Sequence, residues 1–268
     1  MRRVGEVWRI KGTAIVTGAS SGLGLEFAKL LAADGYDLVL VARRSDRLTQ
    51  LGDSLSERYN IKYRALAIDL ATQGSAAEVM RQLGSTPIDI LINNAGFGAL
   101  GAFATLDPGT VHQMIQVNIA ALTELTRLVL PGMLERRRGR ILQLASTAGF
   151  VPGPFMAEYY ATKAYVISFT EALAEELRGT GVTVTALCPG ATRTEFQSVA
   201  NVESSRLFNM PGVMDAAPVV RAGYKGMMRG RTLVIPGMMN RALPLVIRLS
   251  PRRMVARVSR LFQEKVKR

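Results

Sequence analysis

The segment TGASSGLG at residues 17–24 constrains the fold of this 268-residue chain more than any other. It follows the apolar run 14–16 and precedes the helix-like segment LEFAKLLAADG. In the order strand, glycine-rich turn and helix, glycines permit a tight turn and a close backbone approach, and the helix N-terminus attracts a pyrophosphate. The spacing is TGxxxGxG, not GxGxxG, so the flanking strand and helix favour a dinucleotide site over an ordinary turn.

Short apolar runs recur along the chain with helical patterns between them. The predicted strands are residues 14–17, 38–42, 63–68, 88–93, 140–145, 183–188 and 232–235. Strands alternating with helices indicate a parallel sheet covered on both faces, and the length fits one domain. The sequence therefore predicts an α/β fold, a Rossmann-type doubly wound parallel sheet in a single domain.

A tyrosine and a lysine stand four residues apart in YYATK, as Tyr159 and Lys163, and Ser146 lies thirteen residues upstream of the tyrosine. Positions i and i+4 share a helix face, so the ammonium can favour the phenolate. A phenol otherwise titrates near 10. Such a pair alone is more often a surface phenol beside a solvated amine.

Six motifs together favour a functional interpretation of this pair over that of a surface phenol and a solvated amine. They are TGASSGLG, NNAG at 93–96, Asn118, Ser146, the YxxxK pair and PG at 189–190. With them, residues 11–237 resemble the short-chain dehydrogenase/reductase family of the classical type. The resemblance implies an oxidoreductase that transfers a hydride between a nicotinamide and a carbonyl or alcohol.

The resemblance implies four catalytic residues. Tyr159 would be the acid in reduction or the base in oxidation, and Ser146 would hydrogen-bond the same oxygen. Lys163 would bind the nicotinamide ribose and lower the Tyr159 pKa, while Asn118 would hold a water in a proton relay. Thr147 and Tyr160 are rival side chains, and Asn118 has the alternative of bonding the backbone where its helix bends.

The resemblance also implies a set of cofactor-binding residues along the carboxyl edge of the sheet. Besides Tyr159 and Lys163, they are Gly18, Ser20, Ser21, Gly22, Leu23, Gly24, Arg43, Arg44, Asp69, Leu70, Asn93, Ala95, Gly96, Pro189, Gly190 and Thr192. Asp69 has the alternative of capping a strand end.

The end of the second predicted strand bears on the choice of cofactor. NAD sites commonly carry an acid there to bind the ribose 2′-hydroxyl, whereas a 2′-phosphate calls for arginine. Here DLVLVARR places Ala42 at the acidic position, followed by Arg43 and Arg44. The sequence therefore favours NADP(H) over NAD, although both arginines are also compatible with a solvated loop near Asp46.

Composition excludes several classes of protein. The single cysteine, Cys188, forms no internal disulfide, and with one histidine, His112, neither a metal site nor a Ser-His-Asp hydrolase is expected. The start MRRVGEVWRIKG lacks a long apolar stretch, so we expect neither a secretory signal nor a transmembrane anchor there. We expect a cytoplasmic protein that is soluble or peripheral to a membrane.

The net charge of +13 is concentrated at the C-terminus, where residues 241–268 hold nine Lys or Arg and one acid, Glu264. Met254, Val258 and Leu261 fall at helical spacing there. We therefore divide the chain into a catalytic domain, 1–240, and a basic amphipathic tail, 241–268. Such a helix suits an anionic membrane, an acidic acyl carrier or packing on its own subunit. Nucleic acid is not an expected partner, since no binding module accompanies the charge.

Residues 192–217 are expected to close over the substrate. Their apolar side chains are Phe196, Val199, Val202, Leu207, Phe208, Met210, Val213 and Met214. Such a lid suits a hydrophobic carbonyl compound, although these side chains are equally suited to internal packing.

These features favour an NADP-dependent reductase or dehydrogenase of an apolar or acyl substrate, and the family resemblance implies a homo-oligomer. Two alternatives belong to other classes, a catalytically silent cofactor sensor and a peripheral membrane module. The complete set of catalytic residues argues against the sensor.

Overall fold

The chain folds around a seven-stranded, all-parallel sheet, seen here in a computed structural model that describes residues 11–202 and 212–263. The strand order is β3-β2-β1-β4-β5-β6-β9. These strands are β1 Thr13–Thr17, β2 Asp37–Ala42, β3 Tyr63–Ala67, β4 Ile90–Asn93, β5 Gly139–Leu144, β6 Val182–Leu187 and β9 Leu233–Val234.

Helices lie between the strands along the chain, and two more follow the last strand. They are α1 Gly22–Ala33, α2 Ser45–Tyr59, α3 Ser75–Leu83, α4 Pro108–Ile115, α5 Leu122–Glu135, α6 Ala157–Glu176, α7 Phe196–Val199, α8 Ala216–Met228, α9 Met238–Arg248 and α10 Arg252–Gln263. A π-helical segment, Gln116–Ala121, joins α4 to α5, and single 3-10 turns occupy Phe103–Thr105 and Thr147–Phe150.

Successive residues of the central strands enter two different cores, one on each face of the sheet. Ala14 and Val16 pack with α1 and α8, whereas Ile15 packs with α3 and α5. Side chains alternate across a strand, so a strand buried on both faces reads as a continuous apolar run. This explains the run at 14–16 and confirms the predicted Rossmann-type α/β fold.

All the predicted strands occur, and each begins and ends within two residues of its predicted bounds. A second sheet was not predicted. It pairs β7 (Thr192–Arg193) with β8 (Met214–Asp215) and ties the two ends of the expected lid together. Two-residue strands carry too little periodicity to be recognised from sequence. Leu207, Phe208 and Met210 of that lid, and Glu264 of the tail, lie outside the described residues.

One described helical run, Pro108–Glu135, is long and apolar enough to cross a membrane by length and composition. Leu125, Val129 and Met133 on it are nevertheless buried in the core beneath the sheet. Such packing is that of a core helix.

Candidate active site

A cleft of about 740 Å³ opens along the carboxyl ends of the parallel strands. Open parallel sheets bind ligands at this edge, near the point where the strand order reverses. Here that point lies between β1 and β4. The volume is within the range of small-molecule and cofactor sites.

The glycine-rich turn forms one wall of the cleft and allows close backbone packing. Gly18 and Gly22 adopt positive φ values of +66° and +55°, a region that glycine enters without strain. A Cβ atom on Gly24 would lie 2.3 Å from the Gly18 carbonyl oxygen and 2.5 Å from Asn94 Nδ2. Gly24 therefore supports the turn from behind and does not line the cleft.

Asn94, which the sequence analysis missed, locks the turn to the end of β4. Its Nδ2 donates to the Thr17 carbonyl oxygen at 2.8 Å, and its backbone N–H donates to Thr17 Oγ1 at 3.0 Å. Asn93 faces the other way and donates to Gln143 Oε1 and Thr126 Oγ1 inside the core. The structure thus brings Asn94, and not the side chain of Asn93, to the cleft.

Tyr159 and Ser146 meet at the inner end of the cleft. Ser146 follows β5, where its Oγ accepts from the Ala148 N–H at 3.1 Å and donates to the Pro189 carbonyl oxygen at 3.4 Å. The Ser146 side chain lies close enough to the Tyr159 hydroxyl to act on the pKa of that phenol. Two hydroxyls from different elements thus converge where one carbonyl oxygen fits.

Lys163 lies one helical turn beyond Tyr159 and is 4% exposed. Its Nζ donates to the Leu144 carbonyl oxygen at 2.7 Å and stands 5.7 Å from the centroid of the Tyr159 ring. Burial lowers the pKa of Lys163 to about 8, because a buried ammonium loses its hydration.

Burial also controls the pKa of Tyr159, which is raised above the ordinary value of a phenol. The nearby Ser146 side chain acts in the opposite direction but has the smaller effect. The net direction is opposite to the lowering that the sequence led us to expect. A phenol so placed stays protonated at neutral pH.

Asn118 lies in the π-helical segment behind the catalytic groups. Its Nδ2 donates to the Phe97 carbonyl oxygen at 2.9 Å and to Thr162 Oγ1 at 3.1 Å, and its Oδ1 accepts from the Phe97 N–H at 3.1 Å. This bonding matches the structural alternative, a backbone contact at an irregular helix. A relay through a water at Asn118 stays a prediction.

Arg44 reaches from the end of β2 across the glycine-rich turn. Its Nη2 donates to Ser20 Oγ at 3.0 Å and to Glu195 Oε2 at 2.9 Å, while Arg47 Nη1 holds Glu195 Oε1 at 2.7 Å. Hydrogen bonds from Arg47 and Arg44 lower the pKa of Glu195. An arginine pair at this place holds a carboxylate, so it is also suited to a phosphate.

Asp69 lies at the far end of the cleft, after β3. Its Oδ1 accepts from the Ala71 N–H at 3.0 Å, which is the local turn-forming bond that the alternative interpretation predicts. Its place in the cleft wall is also compatible with a contact to a ligand.

The end of the cleft beside Tyr159 is apolar. The Phe196 ring lies 5.2 Å from the Tyr159 ring, and Leu100, Met156 and Val199 complete the wall. Gln263, at the end of α10, also reaches the cleft and donates to the Tyr160 hydroxyl. This contribution from the tail was not predicted.

Most residues that the sequence predicts for the site line this one cleft. They are Gly18, Ser20, Ser21, Gly22, Leu23, Arg43, Arg44, Asp69, Leu70, Ala95, Gly96, Ser146, Tyr159, Lys163, Pro189, Gly190 and Thr192. Gly24, Asn93 and Asn118 stand behind it.

Comparison with known proteins agrees with this geometry. The family model for short chain dehydrogenases matches residues 12–204. The ketoacyl reductase HetN of Nostoc is 34% identical over 226 residues, which cover 83% of this chain and 77% of HetN. The human very-long-chain 3-oxoacyl-CoA reductase is 34% identical over 190 residues, 69% of this chain. That alignment spans only 61% of the human protein's length.

Solved structures show the same likeness in three dimensions. A short-chain dehydrogenase from Sphingobium yanoikuyae in complex with NADPH has a TM-score of 0.80 at 36% identity, covering 86% of this chain and 90% of that one. The bulky-bulky ketone specific alcohol dehydrogenase from Comamonas testosteroni has a TM-score of 0.76 at 32% identity, covering 91% and 96%. This chain therefore belongs to the short-chain dehydrogenase family.

Proposed function

We propose that this protein is an NADP(H)-dependent reductase of bulky apolar or acyl ketones. The observation that carries the proposal is the convergence of Tyr159, Ser146 and Lys163 at the apolar end of a cleft with arginines at its other end. Proton donor and hydrophobic wall thus lie together.

The chain's own residues bind and protonate the carbonyl oxygen of the substrate. A bound NADPH would supply the hydride that the carbonyl carbon accepts. Tyr159, a phenol that is protonated at neutral pH, donates its proton to the oxygen as negative charge develops there. Ser146 hydrogen-bonds the same oxygen and holds it beside the phenol. Lys163 places a positive charge near the phenolate that remains.

The cleft fits a dinucleotide with a 2′-phosphate. Gly18 and Gly22 line the cleft and adopt positive φ values, as expected of a glycine-rich turn whose backbone approaches a pyrophosphate. Arg43 and Arg44 follow β2, the place at which a 2′-phosphate is recognised. The NADPH bound to the Sphingobium neighbour supports the same choice.

Two observations support a bulky apolar substrate. Phe196, Met156 and Val199 line the wall beside Tyr159, and such a wall favours hydrophobic over charged groups around the carbonyl. The names of the relatives, a very-long-chain 3-oxoacyl-CoA reductase and a bulky-bulky ketone specific alcohol dehydrogenase, point to the same class.

The reaction is tested by following NADPH absorbance with a panel of ketones of increasing chain length. Tyr159→Phe should lower kcat by about 10²- to 10⁴-fold, the usual contribution of a positioned acid. NADPH binding, measured by fluorescence titration, should change little. Turnover close to the wild-type rate in this variant would show that another group donates the proton.

Tyr165→Phe provides the matched control. Tyr165 lies on the same helix but is partly exposed and bonds Thr123 Oγ1 at 3.0 Å. Its loss should leave kcat and KM within about twofold of the wild-type values, since exposed contacts contribute little.

The cofactor choice is tested by the ratio of the NADPH and NADH dissociation constants. Arg43→Ala combined with Arg44→Ala should weaken NADPH binding by about 10- to 100-fold, because charge-assisted hydrogen bonds contribute roughly 1.5–3 kcal/mol. NADH binding should change much less. Equal losses for both cofactors would contradict the assignment, and Arg58→Ala at the far end of α2 is the control.

Glu195→Gln gives an effect of opposite sign in the same titration. Glu195 occupies Arg44 and Arg47 through ion pairs of 2.9 and 2.7 Å, so its carboxylate competes with a phosphate. Exposed pairs contribute at most about 1 kcal/mol, and the variant should therefore bind NADPH about two- to fivefold more tightly.

A further inference from the structure

Helix α9 carries its large apolar side chains on the side that faces out of the fold. Met238 and Met239 are 88% and 77% exposed, and Leu245, Val246 and Leu249 are exposed as well. Their spacing places them on one helix face together with Ala242. A helix of a soluble fold buries such a face, whereas here it is the outward one.

Helix α10 likewise exposes its apolar side chains and buries polar ones. Its buried residues are Ser259 and Gln263, and Gln263 donates to the Tyr160 hydroxyl. Its apolar residues Met254, Val258 and Leu261, spaced by four and three, are about half exposed. Each helix therefore presents an exposed apolar stripe. We call the exposed apolar side chains of α9 and α10 together the C-terminal apolar face.

The charged residues of the two helices have a single sign. No Asp or Glu occurs from residue 238 to 263. Arg248, Arg253 and Arg257 are exposed and lie beside the apolar stripes. Arginines can keep their head groups at a polar boundary while their stems lie along apolar surface.

The apolar stripes and the arginines select one kind of partner. A second copy docked through this face would place arginines opposite arginines without an acidic residue from either helix to pair them. An anionic lipid surface suits both the apolar side chains and the arginines, because its acyl region accepts the former and its head groups bind the latter. We infer that the C-terminal apolar face docks this protein on anionic membrane.

This docking would place the cleft near the lipid. Gln263 at the end of α10 lines the apolar end of the cleft beside Tyr160. If the proposed function is right, an apolar ketone dissolved in the membrane would lie close to the group that protonates it. The docking itself does not depend on the reaction.

Sedimentation of the full chain with vesicles tests the inference. Vesicles of phosphatidylcholine with about 30% phosphatidylglycerol, whose negative surface potential attracts basic residues, should carry the protein down. Vesicles of phosphatidylcholine alone should carry much less. Binding should weaken as salt is raised, because screening shortens the reach of surface charge.

Two sets of variants separate the apolar and charged contributions. Leu245→Ser with Val246→Ser and Leu249→Ser should lower the vesicle partition coefficient by about tenfold or more. Arg253→Glu with Arg257→Glu should lower it by a similar factor on anionic vesicles alone. Phe103→Ser with Leu128→Ser, and Lys225→Glu with Arg229→Glu, are matched exposed controls that should bind like the wild type.

Thermal unfolding followed by circular dichroism shows that each variant is folded, and it requires neither cofactor nor substrate. Wild-type binding by the folded serine variant would overturn the inference. The inference would also be overturned if the wild type did not bind vesicles and instead formed a dimer, or a complex with an acidic carrier protein, that the serine variant no longer formed. If the wild type bound vesicles but reduced none of the ketones, only the proposed function would be contradicted.

Discussion

At Tyr159 and Lys163, burial determines the protonation state as much as the neighbouring charges do. The four-residue spacing placed the two groups on one helix face, as the sequence predicted. It could not show that both lie inside the protein, where desolvation raises the pKa of the phenol and lowers that of the ammonium. The residue types were therefore predictable, but their proton affinities were not.

The lowered pKa of Lys163 predicts a dependence of stability on pH. In the folded state Lys163 titrates at about 8, compared with 10.5 ordinarily. Between these values the unfolded chain binds more protons, so stability rises with pH. Urea unfolding at pH 7.5 and 9.5 should show a gain of about 2 kcal/mol in the wild type relative to Lys163→Met. The same increment in both proteins would rule out Lys163 as its source.

At the scale of elements, the sheet and its connections followed from sequence patterns. Parallel strands buried on both faces read as apolar runs, and the glycine-rich turn marked the first crossover. Which of two adjacent amides faced the cleft did not follow, because Asn93 and Asn94 stand at the end of β4 and point to opposite sides. The contact between Arg44 and Glu195 joins residues 151 positions apart, which no local pattern reports.

The close approach of α1, β1 and β4 predicts that Gly24→Ala is destabilising. A Cβ atom there would meet backbone of the turn at 2.3 Å, and overpacking costs about 1–3 kcal/mol. Gly132→Ala in α5 meets only the end of the Arg136 side chain at 3.2 Å and should be neutral or stabilising by up to about 1 kcal/mol. Denaturant unfolding of both variants measures the difference, and equal stabilities would contradict the packing described here.

At the scale of the whole molecule, the cleft joins segments from the first strand to α10. A ligand that contacts them all binds only the folded state, so it should stabilise every element together. The tail, which the sequence presented as a separate basic helix, contributes Gln263 to this cleft.

NADPH should therefore raise the melting temperature of the entire fold. At 100 times its dissociation constant, a ligand adds about 2.7 kcal/mol, which corresponds to roughly 5–10 °C for a domain of this size. NADH at the same concentration should give a smaller shift. Calorimetry of the wild type and of the Arg43→Ala, Arg44→Ala variant measures both, and equal shifts in the variant and the wild type would count against the proposed phosphate site.

The sequence by itself determined the family, the parallel sheet and the identities of the groups that we propose to act on the carbonyl oxygen, because these depend on local periodicity and on fixed spacings. Only the tertiary structure decided that Asn94 and Gln263 reach the cleft, that Glu195 holds the arginines and that α9 and α10 turn their apolar sides outward. Those features depend on which face of each element meets a neighbour distant in the chain. Burial, and with it the pKa of Tyr159 and Lys163, is set by that packing.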